Sequence, residues 1–212
     1  MTSIDDYQFC SQLAVGNFGT VYESKRLGIK RETVAIKQIR IEMKSAYIRS
    51  ACREIRILST ASHPNVLNLH TAFRDGEFLF IVTDIFDHDL ARIIDSDELF
   101  EKIKSRDILF IFYQLLSGLN YLHEAGICHR DIKPSNVLVN NDYSIKIGDF
   151  GSARSIPSRK TRCDLTDYVV TRFYRAPEAV CATGEYGPLL DVWALGCVMA
   201  ELLTRNILFP GK

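Results

Sequence analysis

The hydrophobic period of this chain changes once, near Asp84, and the change dictates two unlike halves. Before it, apolar and polar residues alternate in QFCSQLAV, GTVYESK and TVAIKQIRI, with Gly16 and Gly19 punctuating the first turn. A period of two belongs to a strand with one buried face, so these runs predict an antiparallel sheet. Tyr47, Ile48, Ala51, Ile55 and Leu58 then recur at helical spacing over about 44–58, and two more strand-like runs, VLNLHTAF and EFLFIVT, follow. Past Asp84 the residues Ile108, Leu109, Ile111, Phe112, Leu115, Leu116, Leu119 and Leu122 predict a long amphipathic helix ending near His123 and Gly126. Short strand pieces at NVLV and SIKI flank a polar stretch. A last helix over about 189–203 is apolar nearly all round, in the manner of buried helices. The expected class is α+β: a small antiparallel sheet with one helix over 1–83, a connecting hinge at 84–86 and a mainly helical part over 87–212.

Bulk composition narrows the function classes. A chain of 212 residues with 47% apolar content can bury a sizeable core. Its formal charge is zero, so nothing in the total asks for nucleic acid or an anionic membrane as partner. The six cysteines, Cys10, Cys52, Cys128, Cys163, Cys181 and Cys197, show no C-x-x-C spacing, which argues against zinc or a disulfide framework and for a reducing compartment. The start MTSIDDYQFC lacks the regions of a signal peptide. The stretch LLDVWALGCVMAELL is too short to span a bilayer and carries Asp191 and Glu201. The expected location is cytosol or nucleus.

Phosphate chemistry must therefore come from placed residues. LAVGNFGTV joins two strands, so its glycines would let backbone N–H groups approach phosphates across a hairpin; alone, it reads first as a plain turn, since hairpins with two glycines are common. VAIK puts Lys37 on the third strand, and REIRIL puts Glu54 on a helix face that could look back at the sheet. A lysine held by a carboxylate is a fixed point charge for nucleotide phosphates, whereas the same pair on a surface contributes almost nothing. The decisive stretch is HRDIKPSN, which runs from His129 to Asn136. It offers Asp131 to accept a hydroxyl proton, Lys133 to meet a transferred phosphoryl group and Asn136 to hold a magnesium ion, the parts that in-line phosphoryl transfer needs from one loop. DFG at Asp149, Phe150 and Gly151 adds a second magnesium ligand, and APE follows at Ala176, Pro177 and Glu178.

This order of motifs resembles the eukaryotic protein kinases, over nearly the whole chain from Tyr7 to Lys212. The resemblance implies a two-lobed fold that binds ATP and Mg2+. In it Lys37 and Glu54 form an ion pair, Asp131 is the catalytic base, Asn136 and Asp149 bind magnesium, and Lys133 marks the serine/threonine form of the loop. Ala14, Val15, Gly16, Asn17, Phe18 and Gly19 would cover the phosphates. Val21, Ala35 and Leu138 would sandwich the adenine, Thr83 would guard the back of its pocket, and the backbone of Asp84, Ile85 and Phe86 would bond its edge. Leu58, Leu69, His129 and Phe150 would stack as a spine on Asp191.

TRFYRAPE is similar to the pattern of the cyclin-dependent and mitogen-activated protein (MAP) kinases, and Thr-Asp-Tyr before it looks like the MAP-kinase dual-phosphorylation motif, within an activation segment at 149–178. Kinases resembling male-germ-cell-associated kinase also carry it, and an incidental TDY in an ordered loop stays open. Phosphate on Tyr168 would meet Arg172 and Arg175; phosphate on Thr166 would meet Arg53, Arg130 and Arg154. The implied partners are protein substrates with proline after the target residue, shaped by Val170 and the Arg175 backbone, with an upstream dual-specificity kinase and a cyclin-like protein as candidate regulators. Nucleic acid and membrane are not expected.

Three departures stand out. Ala14 replaces the usual first loop glycine, which predicts strain wherever φ is positive and modestly weaker nucleotide binding. Ser152 replaces the usual leucine after DFG, as in the glycogen synthase kinase 3 branch. LFPGK at 208–212 falls where the family continues with helices that would cover Leu195, Val198, Met199 and Leu202 and supply an arginine for Glu178. The expectation is a C-terminal lobe lacking its last helices, as a splice product or fragment, with a nucleotide- or partner-binding module without turnover as the alternative function.

Overall fold

The computed structural model describes residues 2–16, 19–28, 31–41, 45–156, 172–180 and 187–211. Its chain divides into two compact units, Met1–Ser62 with Leu67–Ile85, and His63–Val66 with Phe86–Lys212.

Alternation in the first unit becomes a five-stranded sheet of β1 (Tyr7–Gly16), β2 (Gly19–Arg26), β3 (Thr33–Arg40), β4 (Leu69–Asp75) and β5 (Phe78–Thr83), with α1 (Ser45–Thr60) between β3 and β4 in the chain. The order across the sheet is β1-β2-β3-β5-β4, and every neighbouring pair is antiparallel. Residues paired across strands point to the same face, so register separates two surfaces. One buries Val34, Ile36, Phe80 and Val82 with Tyr7, backed by Ile4, Phe73 and Phe78. The other packs Ile39 and Ile81 against Ala51 of α1, with Ile48, Ile55, Leu69 and Leu79 around them. Pairing of Val21 with Lys37, and of Ala35 with Thr83, puts these four on that second face, beyond the helix contact. Gly16 pairs with Gly19 where the β1–β2 hairpin turns. Gly19 has φ of 133°, and a Cβ there would lie 2.2 Å from the Gln38 carbonyl oxygen, so only glycine lets β2 lie this close to β3.

The second unit opens with β6 (His88–Asp89), α2 (Leu90–Asp95) and α3 (Asp97–Phe100), capped by the Asp89 and Ser96 side chains, which accept from the Arg92 and Leu99 N–H groups. Then come α4 (Ser105–Glu124), β7 (Ile127–Cys128), β8 (Val137–Val139), β9 (Ile145–Ile147), β10 (Arg154–Ser155), α5 (Pro177–Val180) and α6 (Leu189–Thr204). β6, β8 and β9 form one small sheet, and β7 pairs with β10. α4 packs on β9 and α6 and buries Ile111, Leu115, Leu119 and Leu122, one stripe of its surface. Gly126, at φ 72°, follows its C-cap. The turn at 63–66 is held to this unit by Asn65, whose Nδ2 donates to Gln114 Oε1 and to the Ile145 carbonyl, both at 3.1 Å, while Ile147 N donates back to the Asn65 carbonyl.

Two helix faces differ from expectation. Leu109 and Leu116 of α4 are exposed together with Phe110 and Tyr113, because they lie on the stripe opposite the buried one. In α6, of the residues expected to await a cover, Leu195, Val198 and Leu202 are already buried and Met199 is half-buried, and the exposed apolar residues are Leu189, Val192, Trp193 and Leu203. An all-apolar helix gives no amphipathic direction from which to read its facing. No helix among the described residues is long and apolar enough to cross a membrane.

Candidate active site

In the first unit Lys37, carried by β3, donates from Nζ to Glu54 Oε2 at 2.6 Å, and the Glu54 side chain is only 6% exposed. A carboxylate this buried needs its partner, so the lysine is pinned where a free side chain would sample many rotamers. Arg53 adjoins Glu54 on α1 and is half-buried. Val21, Ala35 and Thr83 share the face of Lys37. Thr83 Oγ1 donates to the Asp84 carbonyl at 3.3 Å, and Ile85 ends the unit. Ala14 pairs with Val21 and Val15 with Thr20. Ala14 is not among the described residues with positive φ, so the strain expected of an alanine there is absent. Asn17 and Phe18 lie outside the described residues.

In the second unit the chain between β7 and β8 is shaped by one buried carboxylate. Asp191, in the first turn of α6 and 1% exposed, accepts from His129 N at 2.8 Å, from Arg130 N at 2.7 Å and from the His123 ring Nε2 at 2.8 Å. Burial alone would raise its carboxyl; the His123 bond and the two backbone N–H groups outweigh burial and hold it below the usual carboxylate range. The bonds to consecutive N–H groups also fix Arg130 at φ 68°, a conformation that costs free energy for any residue but glycine. His129 Nε2 meets the Gly148 carbonyl at 2.9 Å, and its ring packs edge-on to Phe150 at 4.9 Å between centroids.

On this frame Lys133 Nζ donates to Asp131 Oδ2 at 2.9 Å, and Asn136 Nδ2 donates to the Asp131 carbonyl at 2.7 Å and to Oδ2 at 3.1 Å. Pro134 opens the single 3-10 turn that carries Asn136. Gly148 N donates to the Asn136 carbonyl, which ties the loop to the residue before Asp149. Asp149 is left-handed at φ 56° and accepts from Gly151 N. Leu138 sits half-buried in β8, paired with Asp89 and Lys146.

The donor set fits magnesium in chemistry. Asn136 turns its amide nitrogen to Asp131, so its amide oxygen is the end that could serve as a hard ligand, and Asp149 could add a carboxylate. Magnesium takes hard oxygen ligands and commonly needs only one or two from protein, the rest coming from water and phosphate. No group of three His, Cys, Asp or Glu able to hold a metal occurs among the described residues.

Arg154 in β10 donates from Nη1 to the Ser152 and Ala153 carbonyls. Ser152 closes the turn after Asp149. Arg172 is exposed, and Arg175 N donates to the Arg172 carbonyl. Thr166, Tyr168 and Val170 lie outside the described residues. Leu58 and Leu69 belong to the first unit; His129, Phe150 and Asp191 belong to the second. Sequence reasoning missed His123 and the pair in which Tyr174 Oη donates to Glu201 Oε2 at 2.6 Å. Burial, then the Glu201 carboxylate, pushes the Tyr174 hydroxyl up. An acid inside an apolar helix was the available signal, since a buried carboxylate must find a donor.

Known proteins resemble this chain over nearly its whole length. Residues 7–212 match the family described as Protein kinase domain. The chain is 38% identical to the mitogen-activated protein kinase p38b of Drosophila melanogaster, over 98% of its own length and 57% of the relative's. It is 36% identical to cyclin-dependent kinase G1 of Arabidopsis thaliana over 99% of its length and 35% of the relative's. It is 38% identical to cyclin-dependent kinase 12 of Caenorhabditis elegans over its full length and 30% of the relative's. The chain thus spans little more than half the length of the fly relative, and over that span it belongs to the protein kinase domain family.

Proposed function

We propose that this chain transfers the terminal phosphoryl group of ATP to serine or threonine in protein substrates, with proline after the target residue. The observation that carries the reading is the Asp131 carboxylate, bonded at once by Lys133 and Asn136 on a frame fixed by Asp191. Asp131 would orient the attacking hydroxyl and take its proton, while the Lys133 ammonium offsets charge on the transferred group. Lys37, held by Glu54, would offer the phosphates a positive charge fixed beforehand, so that little reorganisation would accompany transfer. Magnesium bound by Asn136 and Asp149 would neutralise phosphate oxygens and orient them in line. The names of the relatives favour a MAP-kinase-like or cyclin-dependent-kinase-like branch, cytosolic or nuclear, with an upstream dual-specificity kinase or a cyclin-like protein as regulator. Phosphate on Thr166 would be received by Arg53, Arg130 and Arg154, and phosphate on Tyr168 by Arg172 and Arg175.

A radiolabelled-ATP assay with a Ser/Thr-Pro peptide library tests this. Asp149→Asn should abolish magnesium-dependent transfer while the urea midpoint stays put, and Asp131→Asn should lower kcat far more than ATP affinity. Equal rates for parent and variants would sink the assignment, and nucleotide binding without turnover in the parent would make the chain a binding module.

A further inference from the structure

A histidine bridges two carboxylates at the end of the first unit's sheet. His70 Nε2 lies 2.7 Å from Asp84 Oδ1, and its Nδ1 lies 3.3 Å from Glu32 Oε1. Register explains how the ring comes to be there: Leu69 pairs with Thr83 and Thr71 with Val82, so His70 is the extra residue of a bulge in β4. A bulge re-aims the side chain it carries, here along the strand end toward the residue that follows β5. The far side of the bridge is itself anchored, since Arg26 N donates to the Glu32 carbonyl at 2.9 Å and Arg26 Nη1 lies 3.5 Å from Glu32 Oε1. The connection from β2 to β3, the β4 bulge and the end of β5 are thereby joined through one ring.

We propose that His70 is a positioning residue for purine recognition, holding Asp84 so that its backbone carbonyl presents a fixed acceptor to the amino group of the base. This rests on the reading above that the chain binds ATP through the backbone at 84–86. Thr83 Oγ1 reaches that same carbonyl at 3.3 Å, so the Asp84 peptide is held from its own strand and, through its side chain, from β4. Fixing an acceptor before the ligand arrives lowers the ordering cost of binding. Among the described residues the polar partners of His70 are Asp84 and Glu32, neither of them proposed to meet a phosphate, so its effect should fall on the base and not on the phosphates.

The test compares parent, His70→Leu and His70→Gln in the full 212-residue chain, with adenosine and inorganic tripolyphosphate as separate probes in calorimetry. His70→Leu should weaken adenosine binding roughly three- to tenfold, the scale of one hydrogen bond, and leave tripolyphosphate binding unchanged. His70→Gln, whose amide can donate to Asp84, should recover most of the loss. Adenosine affinities equal across the three proteins overturn the inference while leaving the nucleotide reading intact. So does a loss shared by both probes that glutamine fails to restore, which would make His70 a structural brace. A parent that binds neither probe overturns both readings.

Discussion

Asp191 shows how one side chain can set the conformation of a loop distant in sequence. Its carboxylate is buried, which by itself costs several kcal/mol, and three short hydrogen bonds offset that cost. Asn at this position offers one acceptor oxygen where the carboxylate offers two, so a donor among His129 N, Arg130 N and the His123 ring would be left without a partner. Asp191→Asn should therefore lose about 2–4 kcal/mol of stability by urea unfolding, and release of Arg130 from its left-handed conformation should lower turnover as well. The pH dependence has a fixed sign. A carboxyl held below its ordinary value of 3.8 contributes stability that is fully present above that value and is lost as pH falls through the lower native one. Acid unfolding of the parent below pH 3.8 should carry this contribution, and Asp191→Asn should lack it. A variant with the same acid limb as the parent would remove the assignment.

At the scale of elements, the join between α4 and the turn at 63–66 leaves no room at one glycine. A Cβ on Gly118 would meet the Asn65 carbonyl oxygen at 2.9 Å and Ile147 Cδ1 at 3.0 Å. Alanine would favour the helix by about 1 kcal/mol, but overpacking against backbone costs about 1–3. Gly118→Ala should thus lose stability on balance, and a raised melting temperature would show that the turn can yield. Elements of this length were legible because periodicity needs residues to accumulate: β1 to β5, α1 and α4 all carry a repeat long enough to read. β6, β7 and β10 have two residues each, and α3 and α5 four, too few for any period. The β4 bulge was illegible for another reason, since pairing register depends on the partner strand and VLNLHTAF alone does not reveal the extra residue. The grouping of Asp131, Lys133 and Asn136 could be expected because one octamer carries all three, and their side chains do meet. His123 could not, because a histidine that holds a carboxylate has no sequence pattern of its own.

On the scale of the whole molecule, net charge is zero and offers no long-range repulsion between copies. Exposed apolar surface therefore weighs more than it would on a charged protein. α6 shows Leu189, Val192, Trp193 and Leu203 on one side, and Trp193 stacks on the exposed ring of Phe209 at 5.6 Å between centroids. Its other side buries Leu195, Val198 and Leu202. Contiguous apolar residues in water favour association, and Val192 and Leu203, 49% and 62% exposed, give up little packing when replaced by charge. Replacing Val192 and Leu203 by lysine should leave the urea midpoint within about 0.5 kcal/mol of the parent and reduce self-association in sedimentation velocity. Leu195→Ala should instead cost about 2–5 kcal/mol, because it opens a cavity among buried neighbours. The two measurements together fix the facing of α6. If the lysine variant unfolds as readily as Leu195→Ala, the side described as exposed is packed, and the helix faces the other way.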